Sequence, residues 1–187
     1  CVALSLSVQG KEVNMTSPDG KYQFTLSDSG GQLHYSLTWN GKQTVKPSLL
    51  GINANVEWRD GVEIGTVDSS RKDTIWHPVY GERSEIKDCY HAWKIVVNRQ
   101  NGRDKLILDV LAYDEGIAFR YHFPGGQYLK ITDEYTEYTM PEGTKAYFTP
   151  KAQTPYSYLP LENWPGESDR PLLLTLADGG YVCLADA

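Results

Sequence analysis

Four histidines and two acidic clusters are the side chains of this sequence best suited to proton transfer. His34, His77, His91 and His122 fall on separate predicted elements, so they read as structural residues rather than as one acid/base or metal-binding group. Glu82, Glu85 and Asp88 lie beside Arg83 and Lys87, an arrangement that reads as a solvated ion-pair network. Asp133, Glu134 and Glu137 alternate with Thr and Tyr, as on an exposed strand face. Opposed carboxyl groups would be needed to cleave a glycosidic bond, but neither cluster reads as such a pair. The sequence carries no nucleophile elbow, zinc-type histidine pair, phosphate loop or dinucleotide glycine pattern.

Cys1, Cys89 and Cys183 are too far apart in sequence to form a metal-type pair. Cys89 and Cys183 are either a disulfide of an oxidising compartment or two free thiols, and both readings stand. Net charge is −6, from 24 acidic and 18 basic residues, and no basic run exceeds Arg71-Lys72. That balance argues against a nucleic-acid or anionic-membrane surface, and no stretch is long and apolar enough for a membrane span. Thirteen Tyr and five Trp make a high aromatic load, suited to strands and, where exposed, to stacking on sugar rings.

The elements that must position these residues are strands. Period-two alternation is plain at 22–26 and 33–39, and recurs at 93–97, 106–112, 117–123, 128–138, 145–148, 172–176 and 181–184. Turn signals separate them, among them Pro18-Asp19-Gly20, Asn40-Gly41, Asp60-Gly61, Asn101-Gly102 and Asp178-Gly179-Gly180. The expectation is an all-β fold, a large antiparallel sandwich. Two stretches read as irregular: 62–90, which is polar, and 149–170, which carries four prolines among Tyr156, Tyr158 and Trp164. The second is long and aromatic enough to be a surface that meets a neighbouring domain.

Residues 1–10 are small and mostly apolar and then give way to Lys11-Glu12. They read as the end of a signal peptide with a cleavage site near Gly10, which implies a periplasmic or secreted protein. A lipid-modified Cys1 or a plain first strand are the alternatives. Residues 11–187 are then one sandwich domain, and the end directly after a strand reads as a cut from a longer chain.

Four segments carry a family pattern. They are Ser17-Pro18-Asp19-Gly20-Lys21, the run from Trp76-His77-Pro78-Val79-Tyr80-Gly81-Glu82-Arg83 to Asp88-Cys89-Tyr90, the run Ala112-Tyr113-Asp114-Glu115-Gly116-Ile117-Ala118-Phe119-Arg120-Tyr121, and Ile131-Thr132-Asp133-Glu134. In this order they resemble the N-terminal domain of glycoside hydrolase family 97. The resemblance implies a β super-sandwich of the galactose-mutarotase type in an exported α-glucosidase or α-galactosidase. It also implies an intramolecular partner, a catalytic (β/α)₈ barrel that carries the catalytic carboxylates and acts on an oligosaccharide substrate. In the family, a glutamate at the end of this domain helps bind an active-site calcium ion. The matching stretch here is Leu184-Ala185-Asp186-Ala187, so the resemblance gives that metal-binding role to Asp186, one methylene shorter than Glu. This domain alone would then be inactive. A free-standing carbohydrate-binding module is the second reading.

Overall fold

The structure is a computed structural model and describes residues 10–100, 102–125 and 128–186. The proposed signal-peptide residues 1–9, with Cys1, lie outside the described residues.

Alternation of apolar and polar side chains builds two facing four-stranded antiparallel sheets. The first runs β1 (Glu12–Thr16), β2 (Tyr22–Ser27), β3 (Leu33–Trp39) and β4 (Lys42–Leu50) in that spatial order. The second is ordered β10-β9-β8-β7, from β7 (Val62–Trp76), β8 (Ile86–Arg99), β9 (Lys105–Tyr113) and β10 (Gly116–His122). On β9 every second residue, Leu106, Leu108, Val110 and Ala112, is fully buried. Ile95 and Val97 of β8 point the same way, against Met15, Phe24, Leu26, Leu33 and Tyr35 of the first sheet. Asn40-Gly41 joins β3 to β4 with positive φ at both residues (49° and 76°), the backbone that a tight two-residue hairpin requires.

Two carboxylates stitch the sheets together. Asp28 accepts from the Lys11 amide at 2.6 Å and from the Ile64 amide at 2.7 Å, so one side chain ties the start of β1 to β7. Asp114 accepts from the Asp19 amide at 2.9 Å, tying the β1–β2 turn to the β9–β10 turn. Beyond the sandwich, a small sheet is ordered β11-β5-β6, from β5 (Ile52–Ala54), β6 (Val56–Glu57) and β11 (Ile131–Glu134). A last sheet is ordered β13-β12-β14-β15, from β12 (Lys145–Phe148), β13 (Ser157–Pro160), β14 (Leu172–Thr175) and β15 (Tyr181–Leu184). The only helical turns among the described residues are two short 3₁₀ segments, Ser29–Gly31 and Leu161–Asn163. The all-β antiparallel sandwich is as the alternation predicts.

Three expectations need correction, and one strand has no counterpart among those expected. The polar stretch 62–90 is mostly strand: Ser69–Trp76 pairs with Trp93–Ile86, extending the β7–β8 hairpin beyond the core. Its outer part is exposed along β7, so no buried face imposes the alternation by which strands are read. The segment 128–138 forms a strand only at Ile131–Glu134, although the Tyr135 and Glu137 amides still donate to Gly51 and Leu49 carbonyls. The strand Lys42–Leu50 escapes the alternation rule because its buried residues fall in runs, Thr44-Val45 and Ser48-Leu49-Leu50, where the β3–β4 register shifts; it also carries Pro47, tolerated at a sheet edge. The irregular stretch 149–170 contains β13 and a 3₁₀ turn, and Trp164 meets Phe148 edge-on at 5.2 Å.

Leu108→Ala should lower unfolding stability by about 2–5 kcal/mol, because it leaves a cavity between the two sheets. Tyr80→Ala, at the 90% exposed hairpin tip, should change it by no more than about 0.5 kcal/mol. Urea unfolding of the two variants checks both.

Candidate functional site

A cleft of about 2170 Å³ wraps the edge of β10. It reaches the outer face of the second sheet on one side and the inner face of the first sheet on the other. Aromatic rings make its floor. Phe24 and Tyr35 stack at 5.3 Å with planes 16° apart, Phe119 tilts against both, and Tyr138 meets Tyr35 edge-on at 6.2 Å. The Tyr35 hydroxyl donates to the Glu137 carbonyl at 2.7 Å. Burial pushes its phenol well above the usual range, with Tyr138, Tyr121 and Glu137 adding to the shift. Burial likewise pushes Tyr121 up to about 12, while the hydrogen bond to Thr136 opposes the shift. These phenols are therefore neutral hydrogen-bonding groups at ordinary pH.

Several charged side chains around the cleft are paired with one another. Asp109 accepts from Arg120 Nε at 2.9 Å, and His122 Nδ1 stands 3.7 Å from the same carboxylate. Lys42 meets Asp178 at 3.0 Å, joining the first sheet to the β14–β15 turn and holding the Asp178 carboxyl below its ordinary range. Arg170, joined to Pro171 by a cis peptide bond, meets Asp186 at 2.7 Å. Glu134 and Tyr138 also line this end of the cleft. Burial raises the Tyr138 phenol, Glu134 and Asp186 raise it further, and Arg170 works against them.

Of the residues singled out from sequence, His122, Glu134 and Asp186 line the same cleft, while Glu82, Glu85, Asp88, Asp133, Glu137 and the other histidines do not. Asp88 does not pair with Arg83 or Lys87: it accepts from Lys72 at 2.6 Å and from the Tyr113 hydroxyl at 3.4 Å. Glu85 stands 4.0 Å from His77, near the hairpin tip. Glu134 accepts from Thr136 at 2.7 Å, and Glu137 from the Leu49 amide at 3.4 Å. Cross-strand register decides the partners of Asp88, whereas Glu134 bonds only two residues along the chain. The histidines remain on separate elements. His91 Nδ1 lies 2.9 Å from the Thr16 carbonyl and His77 Nδ1 lies 3.1 Å from the Ser84 carbonyl. Cys89 is buried on β8, Cys183 is exposed on β15, and both thiols are free.

Calcium takes six to eight oxygen ligands. Among the described residues, no group of three or more His, Cys, Asp or Glu side chains could hold a metal. Asp186 is an exposed carboxylate already facing a guanidinium, so by itself it does not fit a calcium site. Arg170 is the partner that sequence reasoning missed, since no motif links positions 170 and 186.

The fold and cleft define an all-β antiparallel sandwich. The family model "Glycosyl-hydrolase 97 N-terminal" matches residues 15–187, and the chain belongs to this family. A retaining alpha-galactosidase of Bacteroides thetaiotaomicron is 27% identical over 150 residues, covering 78% of this chain and 22% of that protein. Among solved structures, a family 97 enzyme from Pseudoalteromonas sp. strain K8, in complex with panose, superposes with a TM-score of 0.84. It is 22% identical, and the match covers 90% of this chain and 27% of that one. A beta-arabinopyranosidase superposes at 0.82, with 21% identity, over 91% of this chain and 31% of that one. At such identities the solved structures speak for the fold. The chain spans less than a third of the length of the relatives it matches.

The turn that leads into the cleft gives a pH test. Hydrogen bonds from the Lys21 side chain, the Ser17 hydroxyl and the Lys21 amide hold the Asp19 carboxyl well below its ordinary range. A depressed carboxyl stabilises the fold above its unfolded value of about 3.9, and the stabilisation is lost as pH falls through the folded value. Asp19→Asn should therefore unfold at lower urea than the parent by a constant margin above about pH 5. The margin should narrow below about pH 4. A margin independent of pH down to 2.5 would contradict the hydrogen-bonded carboxylate.

Proposed function

We propose that this chain is the accessory N-terminal sandwich of an exported, exo-acting α-glycosidase, an α-glucosidase or α-galactosidase. The match of the family model across residues 15–187 carries the reading. The apolar, small-residue start of the sequence supports export to the periplasm or beyond. In this reading the catalytic carboxylates belong to a (β/α)₈ barrel on which the domain packs, at the strand ends where such barrels place their active sites. The mutual pairing of Asp88, Asp109 and Asp186 with Lys72, Arg120 and Arg170 supports this division. A carboxylate held by a cation in its own domain is poorly placed to exchange protons with a sugar oxygen.

Asp186 is then one oxygen ligand of a calcium ion whose other ligands come from outside this domain. To serve, its carboxylate must turn from Arg170. The pair is more than half exposed on both sides, where an ion pair contributes little, about 0–1 kcal/mol, so the turn is easily made.

A second reading, a free-standing carbohydrate-binding module, is favoured by the strongly exposed Tyr80, Tyr128, Tyr156 and Tyr181. The two separate by assay. The whole protein is expected to hydrolyse an aryl α-glucoside or α-galactoside while residues 11–187 alone do not. Hydrolysis by those residues alone would overturn the division of labour. Saturable binding of oligosaccharides by a whole protein that hydrolyses neither substrate would establish the second reading. For the metal, calcium should raise the melting temperature of the whole protein by ligand linkage. Asp186→Ala should reduce that rise and Asp186→Glu should keep it. An undiminished rise in Asp186→Ala removes the residue from the site.

A further inference from the structure

Strand β7 ends its sheet, and only the root of its free edge is covered. There the Asp28 carboxylate accepts from the Ile64 amide, and Lys11 Nζ donates to the Gly65 carbonyl. From Ser69 to Trp76 every residue is exposed, and among the described residues β8 is the one strand paired with this stretch. Free edges are commonly blunted by charge. This one carries Asp68, Arg71, Lys72 and Asp73, whose charges cancel. Lys72 already meets Asp88 at 2.6 Å, while Asp68 has no ion-pair partner among the described residues. The order of these charges then decides which strand the edge repels and which it accepts.

Two copies of one strand pair antiparallel about a two-fold axis perpendicular to the sheet. Opposed residues then share a face, so the axis passes where one residue meets its own copy. Centring on Asp68, Arg71, Lys72 or Asp73 sets a charge against itself. Centring on Ser69 opposes Asp68 with Ser70 and pairs no carboxylate with a cation. Centring on Ser70 opposes Asp68 with Lys72 on both sides of the axis and sets no like charges together. Opposite charges directly across a strand pair favour a register, and like charges disfavour it.

We propose that the free edge of β7 is an interface between two copies of this chain, paired from Val67 to Asp73 with Ser70 on the axis. The partner is a second copy because the edge is complementary in charge to itself. Backbone hydrogen bonds along the edge supply affinity, and the Asp68–Lys72 pairs fix the register. The register shift between Ile64 and Val67 ends the pairing at the root, where Asp28 and Lys11 hold the backbone. At the other end Ile75 and Trp76, 59% and 49% exposed, run past the paired stretch toward the other copy. The two four-stranded sheets thereby become one.

Cysteine cross-linking and light scattering of the whole protein test this. Directly opposed Cα atoms lie about 4.5 or 5.5 Å apart, inside the roughly 4.4–6.8 Å that a disulfide spans. Ser70→Cys should therefore give a covalent dimer under mild oxidation. Ser69→Cys is the control, because it stands diagonal to its copy at about 7–8 Å and should not link. By light scattering the parent should have the mass of two chains. Asp68→Lys, which opposes lysine with lysine twice, should have the mass of one. A parent with the mass of one chain overturns the proposal. So does Asp68→Lys that keeps the mass of two, or Ser69→Cys that links as readily as Ser70→Cys. None of these readings depends on catalytic activity, so they stand apart from the assay above.

Discussion

Strands β8 and β9 can bury only one face of the sheet they build, and the rest of the structure follows from that constraint. Ile95, Val97, Leu106, Leu108 and Val110 are fully buried, and a one-residue slip of either strand would turn its share of them to water. The first sheet supplies the opposing surface through Phe24, Leu26 and Leu33. With the apolar faces committed, the remaining polar groups are placed by geometry. Asp28 and Asp114 close the sandwich at opposite places because each carboxylate finds a backbone amide of the other sheet. The β7–β8 hairpin can run out past the core because its ladder is already registered within it.

The same constraint shapes the cleft. The cleft lies beside this core: Tyr35 and Leu37 line it from the first sheet, with Tyr35 itself buried beneath Phe119 and Tyr138. Around that space, cations and carboxylates pair locally: Arg120 with Asp109, Lys42 with Asp178, Arg170 with Asp186. Such an arrangement positions and encloses. The chain belongs to the family 97 N-terminal domains.

Much of this was legible in the sequence because half-buried strands write their burial into alternate residues. Residues 22–26, 33–39 and 106–112 show the pattern cleanly and are the strands that face each other. The outer half of β7 is exposed on both faces, so charges and serines obscure a fifteen-residue strand. β5 and β6, of three and two residues, are too short for any period. Site geometry was less accessible. Lys72–Asp88 and Arg170–Asp186 join residues 16 positions apart, and only the folded registers bring them together. The family motifs pointed to Asp186, but nothing near it in sequence announced a guanidinium partner.

The central claim is that the bond-breaking carboxylates lie outside this domain, and a structure of the whole protein with a bound oligosaccharide inhibitor tests it most directly. The account predicts that both carboxyl groups flanking the scissile glycosidic oxygen come from beyond residues 10–186, with Asp186 the nearest carboxylate this domain offers. An Asp or Glu of residues 10–186 in hydrogen-bond reach of that oxygen would contradict it.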